Sequence, residues 1–250
     1  MINPFYKFFF DGFGYRLIIK LIKMISLINY RREKRVRNLI VKSTLNNFKF
    51  YTDTEDPKKF KFPTQLMRYW GLYEPLTSVI LEKYVQENYN VLELGSAYGY
   101  FTIQLSKLSK RGTIYAVEPN TDYHENYLTK NIEINKLDNV KLFCTAIGDE
   151  KIIDVKGKSL KTISFKDFHN KNIDKDLDFI FIDVDAKNLE GEIVRNEINI
   201  LKQIFEFYPK NKRPKIFIES HYIDDIADLI IKNSYTINNV TSRHFILLPY

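Results

Sequence analysis

From residue 90 onward the sequence alternates between short apolar segments and longer amphipathic ones. The apolar segments have the length and composition of buried β-strands and cover residues 90–94, 113–117, 140–144, 178–184 and 215–219. The segments between them have helical spacing and lie near residues 98–109, 122–136, 188–208 and 223–233. Strands that alternate with helices predict a mainly parallel sheet joined by right-handed crossovers.

The last two apolar runs, Tyr235–Val240 and His244–Leu248, have no helix between them. They predict a final antiparallel hairpin, which brings the sheet to seven strands. The predicted fold class is therefore α/β, a Rossmann-like and mostly parallel seven-stranded sheet with a C-terminal antiparallel hairpin. A helical and β extension precedes it, so we divide the chain into an extension over residues 1–69 and a catalytic domain over residues 70–250.

Two short strands and a helix are predicted between the basic N-terminal region and the regular pattern. The strands lie around Asn38–Ser43 and Phe48–Thr52, with Asn46-Asn47 as the turn between them. The helix covers Pro75–Glu87, because proline suits the first turn of a helix.

The positive charge of the chain is concentrated in its first fifty residues. The chain carries a net charge of +7, and residues 1–50 hold eleven Lys and Arg against Asp11 and Glu33. Residues 13–30 have the spacing of an amphipathic helix, but the apolar run of about 12 residues is shorter than the roughly 20 that span a bilayer. We predict that residues 13–37 either contact an anionic membrane surface or pack against the domain or a second subunit.

Cys144 is the only cysteine of the chain, which excludes an internal disulfide and zinc sites built from several cysteines. This usage favours a reducing compartment, and we predict a cytoplasmic protein, with association at the inner face of the membrane as an alternative. Because Cys144 lies in an apolar run, we expect a buried structural thiol.

A glycine turn follows the first strand of the regular pattern. A strand, a glycine turn and a helix start form the nucleotide site of α/β folds, where backbone N–H groups favour anionic ligands. An acidic residue just inside the strand departs from the dinucleotide pattern and can accept hydrogen bonds, through water, from the ammonium group of an amino-acid cofactor. A purely structural turn is the alternative. For the methionyl end of S-adenosylmethionine we predict Glu93, Gly95 and Gly99, and we predict that Ser96 and Tyr98 of the same turn also bind the cofactor.

The second strand also ends in an acidic residue, Glu118, 23 residues after Gly95. This spacing fits a carboxylate that accepts hydrogen bonds from the two ribose hydroxyls of an adenosine cofactor. Pro119 and Asn120 follow it and are predicted to contact the cofactor too. Ala146, after the third strand, is predicted to lie near the adenine.

Three polar side chains are predicted to face the methyl acceptor. Asp183 and Asp185 lie at the end of the fourth strand, and His221 follows the fifth. The carboxyl ends of parallel strands meet at one crevice, so these groups could orient or deprotonate a hydroxyl, or hold a metal ion. The alternatives are a helix cap for Asp185 and a structural role for His221.

The order and spacing of these segments resemble those of the FkbM family of S-adenosylmethionine-dependent methyltransferases over roughly residues 70–250. The segments that carry the resemblance are Gly71-Leu72-Tyr73-Glu74-Pro75, Val91-Leu92-Glu93-Leu94-Gly95, Gly99-Tyr100-Phe101-Thr102, Val117-Glu118-Pro119, Ala146-Ile147-Gly148-Asp149, Ile182-Asp183-Val184-Asp185 and Ile218-Glu219-Ser220-His221. The resemblance adds Glu74 to the predicted cofactor-binding residues. The chain departs from the family at Asp185-Ala186, where Glu-Gly is usual, and this leaves the acceptor and any metal role open.

The resemblance implies a Rossmann-like methyltransferase that methylates a hydroxyl oxygen. The predicted substrate is a hydroxyl-bearing small molecule, a glycan or a glycolipid. One alternative is an RNA methyltransferase whose basic extension contacts phosphates. Another is a non-catalytic binding module with a methyltransferase fold. The sequence leaves open whether the protein uses a divalent metal and whether it forms oligomers.

Overall fold

The computed structural model describes residues 40–43, 48–51, 73–149, 152–155, 158–184, 186–187, 193–220 and 222–250. Several predictions fall outside these residues: the helix over 13–30, the turn at Asn46-Asn47, Asp185, His221, and the basic run that follows the helix and consists of Arg31, Arg32, Lys34, Arg35 and Arg37. Within the described residues, no helix combines the length and the apolar character that crossing a bilayer requires.

The strands of the described residues are, in chain order, β1 (Ile40–Ser43), β2 (Phe48–Tyr51), β3 (Val91–Leu94), β4 (Ile114–Val117), β5 (Val140–Phe143), β6 (Ala146–Ile147), β7 (Ile152–Val155), β8 (Lys158–Ile163), β9 (Phe179–Ile182), β10 (Ala186–Lys187), β11 (Ile193–Val194), β12 (Lys215–Glu219), β13 (Tyr235–Asn239) and β14 (His244–Pro249). The α-helices are α1 (Pro75–Tyr84), α2 (Tyr100–Leu108), α3 (Thr121–Tyr123), α4 (Thr129–Asn135), α5 (Phe165–Asn172), α6 (Asn196–Phe207) and α7 (Ile223–Lys232). A π-helical segment, His124–Leu128, joins α3 to α4.

A seven-stranded sheet with the order β13-β14-β12-β9-β3-β4-β5 forms the centre of the domain. The five strands from β12 to β5 are parallel, and β13 and β14 are antiparallel to their neighbours. The predicted fold class, including the C-terminal hairpin, is confirmed. The order reverses between β3 and β9, and ligands of open α/β sheets bind at such a switch point.

Both faces of the central sheet are covered, as a parallel sheet requires. Successive residues of β9 point to opposite sides: Ile180 and Ile182 belong to one core cluster, and Phe179 and Phe181 belong to the other. Residues of α5, α6 and α7 pack in the first cluster, and residues of α1 and α2 pack in the second.

The predicted N-terminal strands are confirmed as an antiparallel hairpin, in which Ile40 pairs with Tyr51 and Ser43 pairs with Phe48. Phe48 and Phe50 are buried and lie edge-on to the ring of Tyr100, with centroid distances of 5.5 and 5.7 Å. This hairpin therefore covers helix α2. The division of the chain at residue 70 stays a prediction.

A smaller sheet with the order β11-β10-β7-β8-β6 was not predicted. Residues 150–177 carry no predicted helix or strand, yet they contain β7, β8 and α5. The helix predicted over residues 188–208 corresponds to α6, which begins only at Asn196, after two short strands. These strands pair with segments distant in the sequence, so local periodicity does not reveal them.

The prediction of a buried thiol was wrong, because Cys144 is exposed. It follows the last residue of β5, an edge strand of the central sheet. The apolar run thus continues beyond the point at which the strand leaves the core.

Candidate functional site

The turn after β3 is built around two glycines in the left-handed region of backbone conformation. Gly95 has a φ of +92°, and a Cβ atom there would lie 1.8 Å from the carbonyl oxygen of Asp183. Gly99 has a φ of +84°, and its Cβ would lie 2.7 Å from a methyl group of Leu128. Only glycine meets both requirements. The backbone can therefore pass close to β9 and leave room for a ligand above the turn.

Glu118 joins this turn to the end of β4. One carboxylate oxygen accepts a hydrogen bond from the backbone N–H of Ala97 at 2.7 Å, and the other accepts one from the N–H of Asn120 at 2.7 Å. The side chain is 4% exposed. Because each carboxylate oxygen has two lone-pair sites, both can also accept a hydrogen bond from a ribose hydroxyl. The geometry fits the predicted ribose carboxylate.

Glu93 is the third residue of β3 and is only 1% exposed. The hydroxyl of Thr102 donates to its Oε2 at 2.6 Å. Burial raises the pKa of this carboxyl to about 7, although the hydroxyl groups of Thr102 and Ser96 lower it in part. Glu93 therefore lies beneath the turn, where a neighbouring cation would favour its ionised form.

A cavity of about 310 Å³ opens beside these residues at the carboxyl ends of the parallel strands. Its volume is at the lower end of the range for small-molecule sites. The predicted residues that line it are Glu74, Gly95, Tyr98, Glu118, Pro119, Ala146 and Asp183. The other described predicted residues, Glu93, Ser96, Gly99 and Asn120, shape the turn and the start of α3 without lining the cavity. Asn120, for example, caps α3 by accepting from the N–H groups of Asp122 and Tyr123.

One wall of the cavity is an apolar slot, of which only Ala146 was predicted from the sequence. Ile147, Ile153 and Val155 of the smaller sheet line it beside Ala146, and Ile200 of α6 also lines the cavity. A flat apolar slot next to a ribose-binding carboxylate suits an adenine ring. The slot was missed because it comes from β7, which was not predicted as a strand.

The opposite end of the cavity is polar. Asp183, Glu219, Arg243 and Glu74 line it, and His244 is buried behind them. Glu219 and His244 are paired residues of β12 and β14, and Glu219 Oε2 lies 3.3 Å from His244 Nε2. Arg243 lies 3.4 Å from the other oxygen of Glu219.

These neighbours decide the charge of Glu219. Burial alone would raise the pKa of its carboxyl, but His244, Arg243 and a hydrogen bond with Asp183 lower it to below the usual value. Glu219 is thus an ionised carboxylate at neutral pH. Of this group the sequence analysis predicted Glu74 and Asp183; the strand-end rule would also have found Glu219. Arg243 and His244 come from the final hairpin, whose register the sequence does not give.

Comparison with known proteins gives one match to a protein-family model. It is the TRM5/TYW2 methyltransferase domain, which matches residues 69–181. One curated relative is the tRNA(Phe) (4-demethylwyosine(37)-C(7)) aminocarboxypropyltransferase of Methanocaldococcus jannaschii, which is 38% identical over 95 residues. The match covers 38% of this chain and 36% of that enzyme, so the chain spans about a third of the relative's length.

The solved structures similar to this chain include the following two methyltransferase-fold proteins. M. jannaschii TYW2 in complex with AdoMet has a TM-score of 0.49 and 20% sequence identity, covering 85% of each chain. A putative caffeoyl-CoA O-methyltransferase from Staphylococcus aureus has a TM-score of 0.48 and 19% identity, covering 75% of this chain and 92% of that one.

The cofactor prediction is confirmed. The sheet order, the glycine turn with its two carboxylates and the match to a methyltransferase domain identify the cofactor as S-adenosylmethionine. The fold and the matched domain are of the S-adenosylmethionine-dependent methyltransferase type. The role of each individual residue in binding stays a prediction.

The resemblance to the FkbM family was wrong, because the matching family model is that of the TRM5/TYW2 methyltransferase domain. Most of the motifs behind the resemblance build the cofactor site, which unrelated methyltransferases of this fold share. The predicted hydroxyl-bearing small molecule, glycan or glycolipid was wrong as well, since the curated relative acts on tRNA(Phe). O-methylation loses its support with that substrate.

Proposed function

We propose that this chain modifies RNA by transferring a group from S-adenosylmethionine to a tRNA nucleotide. The match of residues 69–181 to the TRM5/TYW2 methyltransferase domain carries this proposal. The curated relative, an aminocarboxypropyltransferase acting on tRNA(Phe), supports the same substrate class. The excess of Lys and Arg in residues 1–50 supplies the positive charge that a phosphate backbone attracts.

Residues in the cavity and beneath its turn are assigned to the three parts of the cofactor. Glu93, beneath the turn, favours the ammonium group of the methionyl end. Glu118 holds the ribose, and the slot around Ala146 holds the adenine. The sulfonium centre of the cofactor supplies an activated carbon, and the protein supplies proximity and alignment.

The polar end of the cavity receives the acceptor. Asp183 lies at the end of β9, where its backbone N–H donates to the carbonyl of Leu94 at 3.0 Å. This bond fixes Asp183 next to the turn at Gly95. Asp183 and Glu219 are the carboxyl groups that orient a nucleobase, and Glu219, the ionised one, accepts its proton. Arg243 balances part of their charge.

We propose the aminocarboxypropyl group as the transferred group, following the curated relative. Methyl transfer is the second candidate, because the matching family model is described as a methyltransferase domain. Both reactions use the same sulfonium centre and differ in which of its carbons faces the acceptor. Which of the two groups is transferred therefore depends on how the methionyl end lies above Glu93.

Isotopic labelling separates the two reactions. The full chain is incubated with tRNA(Phe), either unmodified or carrying 4-demethylwyosine at position 37, and with S-adenosylmethionine carrying ¹⁴C either in the methionyl carboxyl or in the methyl group. Aminocarboxypropyl transfer brings only the carboxyl label into RNA and releases methylthioadenosine. Methyl transfer brings only the methyl label into RNA and releases S-adenosylhomocysteine.

Glu118→Ala serves as the control for the cofactor site and is expected to abolish both signals. Calorimetry with S-adenosylhomocysteine tests cofactor binding separately. A wild-type chain that binds S-adenosylhomocysteine and labels no RNA from either donor contradicts the proposed function while leaving the cofactor assignment intact.

A further inference from the structure

Glu74, Glu219 and His244 converge at the polar end of the cavity from three different elements. Glu74 precedes α1, Glu219 ends β12, and His244 begins β14. Each offers one ligand atom, and these atoms all lie within 4.8 Å of one another. Carboxylate oxygens and an imidazole nitrogen are ligands for divalent transition metals.

The imidazole of His244 is oriented into this cluster. The residue is 5% exposed, and its Nδ1 lies 2.9 Å from the hydroxyl of Thr241. A hydrogen bond on this nitrogen fixes the ring, as it does for metal-bound histidines. The other nitrogen, Nε2, is buried, and its contact with Glu219 is an ion-pair contact without the geometry of a regular hydrogen bond. It faces the two carboxylates, at 3.3 Å from Glu219 and 3.9 Å from Glu74.

These distances suit a small cation. Ligands bound tetrahedrally at about 2.0–2.1 Å lie roughly 3.3 Å from one another, which is the spacing of His244 and Glu219. Glu74 Oε2 lies 3.9 Å from Nε2, so this carboxylate must move inward to bind the same ion. Because Nε2 faces two carboxylates, a cation between them, either a proton on Nε2 or a metal ion, stabilises the cluster.

We propose that Glu74, Glu219 and His244 bind one divalent transition-metal ion, such as Zn²⁺, Co²⁺ or Mn²⁺, at the polar end of the cavity. The imidazole nitrogen favours these ions over Mg²⁺ and Ca²⁺, which prefer oxygen ligands. Three protein ligands leave a coordination position toward the cavity, beside Asp183. The proposal does not depend on RNA as the acceptor.

Metal binding is measured on the tag-free chain by equilibrium dialysis with Zn²⁺ and by the visible absorption of bound Co²⁺. The wild type is expected to bind one equivalent and to show the intense absorption of a low-coordinate Co²⁺ site. His244→Gln and Glu219→Gln are expected to weaken binding at least tenfold. Glu74→Gln tests the same site at a half-buried position, where folding is less at risk.

His169→Gln is the matched control. His169 also has a buried Nε2 without a hydrogen bond, but its ring packs against Phe165, Phe207 and Tyr208. This variant is expected to bind metal like the wild type. The proposal is overturned if the wild type binds no Co²⁺ or Zn²⁺ at millimolar concentration, or if folded Glu74→Gln and His244→Gln variants bind as well as the wild type. Either result would mean that Nε2 of His244 carries a proton and that the cluster binds no metal ion.

Discussion

Two effects act on the ionisation of the Glu93 carboxyl in opposite directions. Its burial in β3 raises the pKa of the carboxyl to about 7, so the folded chain resists its ionisation. Binding of a cofactor ammonium group, in contrast, favours the ionised form. The carboxyl that prepares the chain for its cofactor thus destabilises the fold when the cofactor is absent.

The amount by which Glu93 lowers the free energy of unfolding depends on pH in a predictable direction. Below about pH 4.5 the carboxyl is protonated in both the folded and the unfolded chain. Between pH 4.5 and 7 only the folded chain keeps the proton, so the free energy of unfolding falls as the pH rises. Glu93→Gln removes this loss, and we expect the variant to be more stable than the wild type at pH 8 by up to about 3 kcal/mol.

Urea unfolding of the cofactor-free chain at pH 5 and pH 8 measures this difference. The advantage of Glu93→Gln is expected to grow between the two pH values, while its affinity for S-adenosylhomocysteine falls. Glu87→Gln, at an exposed carboxyl paired with Arg111, is the control and should show no such growth. An advantage of equal size at both pH values would contradict a raised pKa for Glu93.

Single residues of the site were predictable where one local rule determines them. Gly95 is identified by its place after a buried strand, and Glu118 by its distance from Gly95. His244 could not be found in this way, because its partner Glu219 is set by the register of two strands 25 residues apart along the chain. Sequence periodicity gives the strands but does not give which residues face each other.

At the scale of elements, two asparagines of α4 attach the N-terminal hairpin to the domain. Asn131 accepts from the N–H of Tyr51 at 2.5 Å and donates to its carbonyl at 3.1 Å. Asn135 does the same for Lys49, at 2.9 and 2.6 Å. The two amides, one helical turn apart, thus pair with the open edge of β2 as a neighbouring strand would. Asn131 also donates to the carbonyl of Tyr98, in the cofactor turn.

Asn131→Ala should therefore affect both the hairpin and the cofactor turn. The residue is fully buried, and its removal leaves backbone groups of Tyr51 and Tyr98 without partners. We expect the free energy of unfolding to fall by about 2–3 kcal/mol, with weaker S-adenosylhomocysteine binding. Urea unfolding and calorimetry measure the two effects.

Asn135→Ala is the comparison, since its bonds to Lys49 are exposed to solvent. It should cost about 1 kcal/mol or less and leave cofactor binding unchanged. Equal losses for the two variants would show that the link from Asn131 to the cofactor turn has no energetic role.

The elements that were predicted correctly differ physically from those that were missed. The central strands β3, β4 and β9 are buried along their whole length, so their sequences are continuously apolar. The strand β8 alternates between partly buried and exposed residues and contains Lys158 and Lys161. This segment forms a strand because it pairs with β7 and β6, although its amino-acid composition resembles that of a loop.

On the scale of the whole molecule, charge is divided unevenly along the chain. The chain carries +7, and its first fifty residues contribute about +9, so the remaining two hundred are near −2. The polar end of the cavity is itself acidic, with Asp183, Glu219 and Glu74 against Arg243. The net charge of residues 51–250 therefore does not attract a phosphate backbone, and we expect the first fifty residues to supply most of the cations that contact RNA.

This division predicts how RNA binding responds to salt. Each phosphate contact adds roughly 0.7–0.9 to the slope of log K against log salt. Replacing the five cations of the basic run by Gln should reduce that slope for tRNA by up to about 4, without changing S-adenosylhomocysteine binding. These residues are Arg31, Arg32, Lys34, Arg35 and Arg37.

A second variant with the same change in net charge provides the control. It replaces five exposed lysines of the domain by Gln: Lys166, Lys202, Lys210, Lys212 and Lys232. If net charge alone attracted RNA, the two variants would lose the same slope in filter-binding titrations from low to physiological salt. A reduction confined to the basic-run variant locates the phosphate contacts in the extension. Equal reductions would indicate that the phosphate contacts lie in the domain. Lysines and arginines closer to the acidic cavity than the first fifty residues would then bind the RNA.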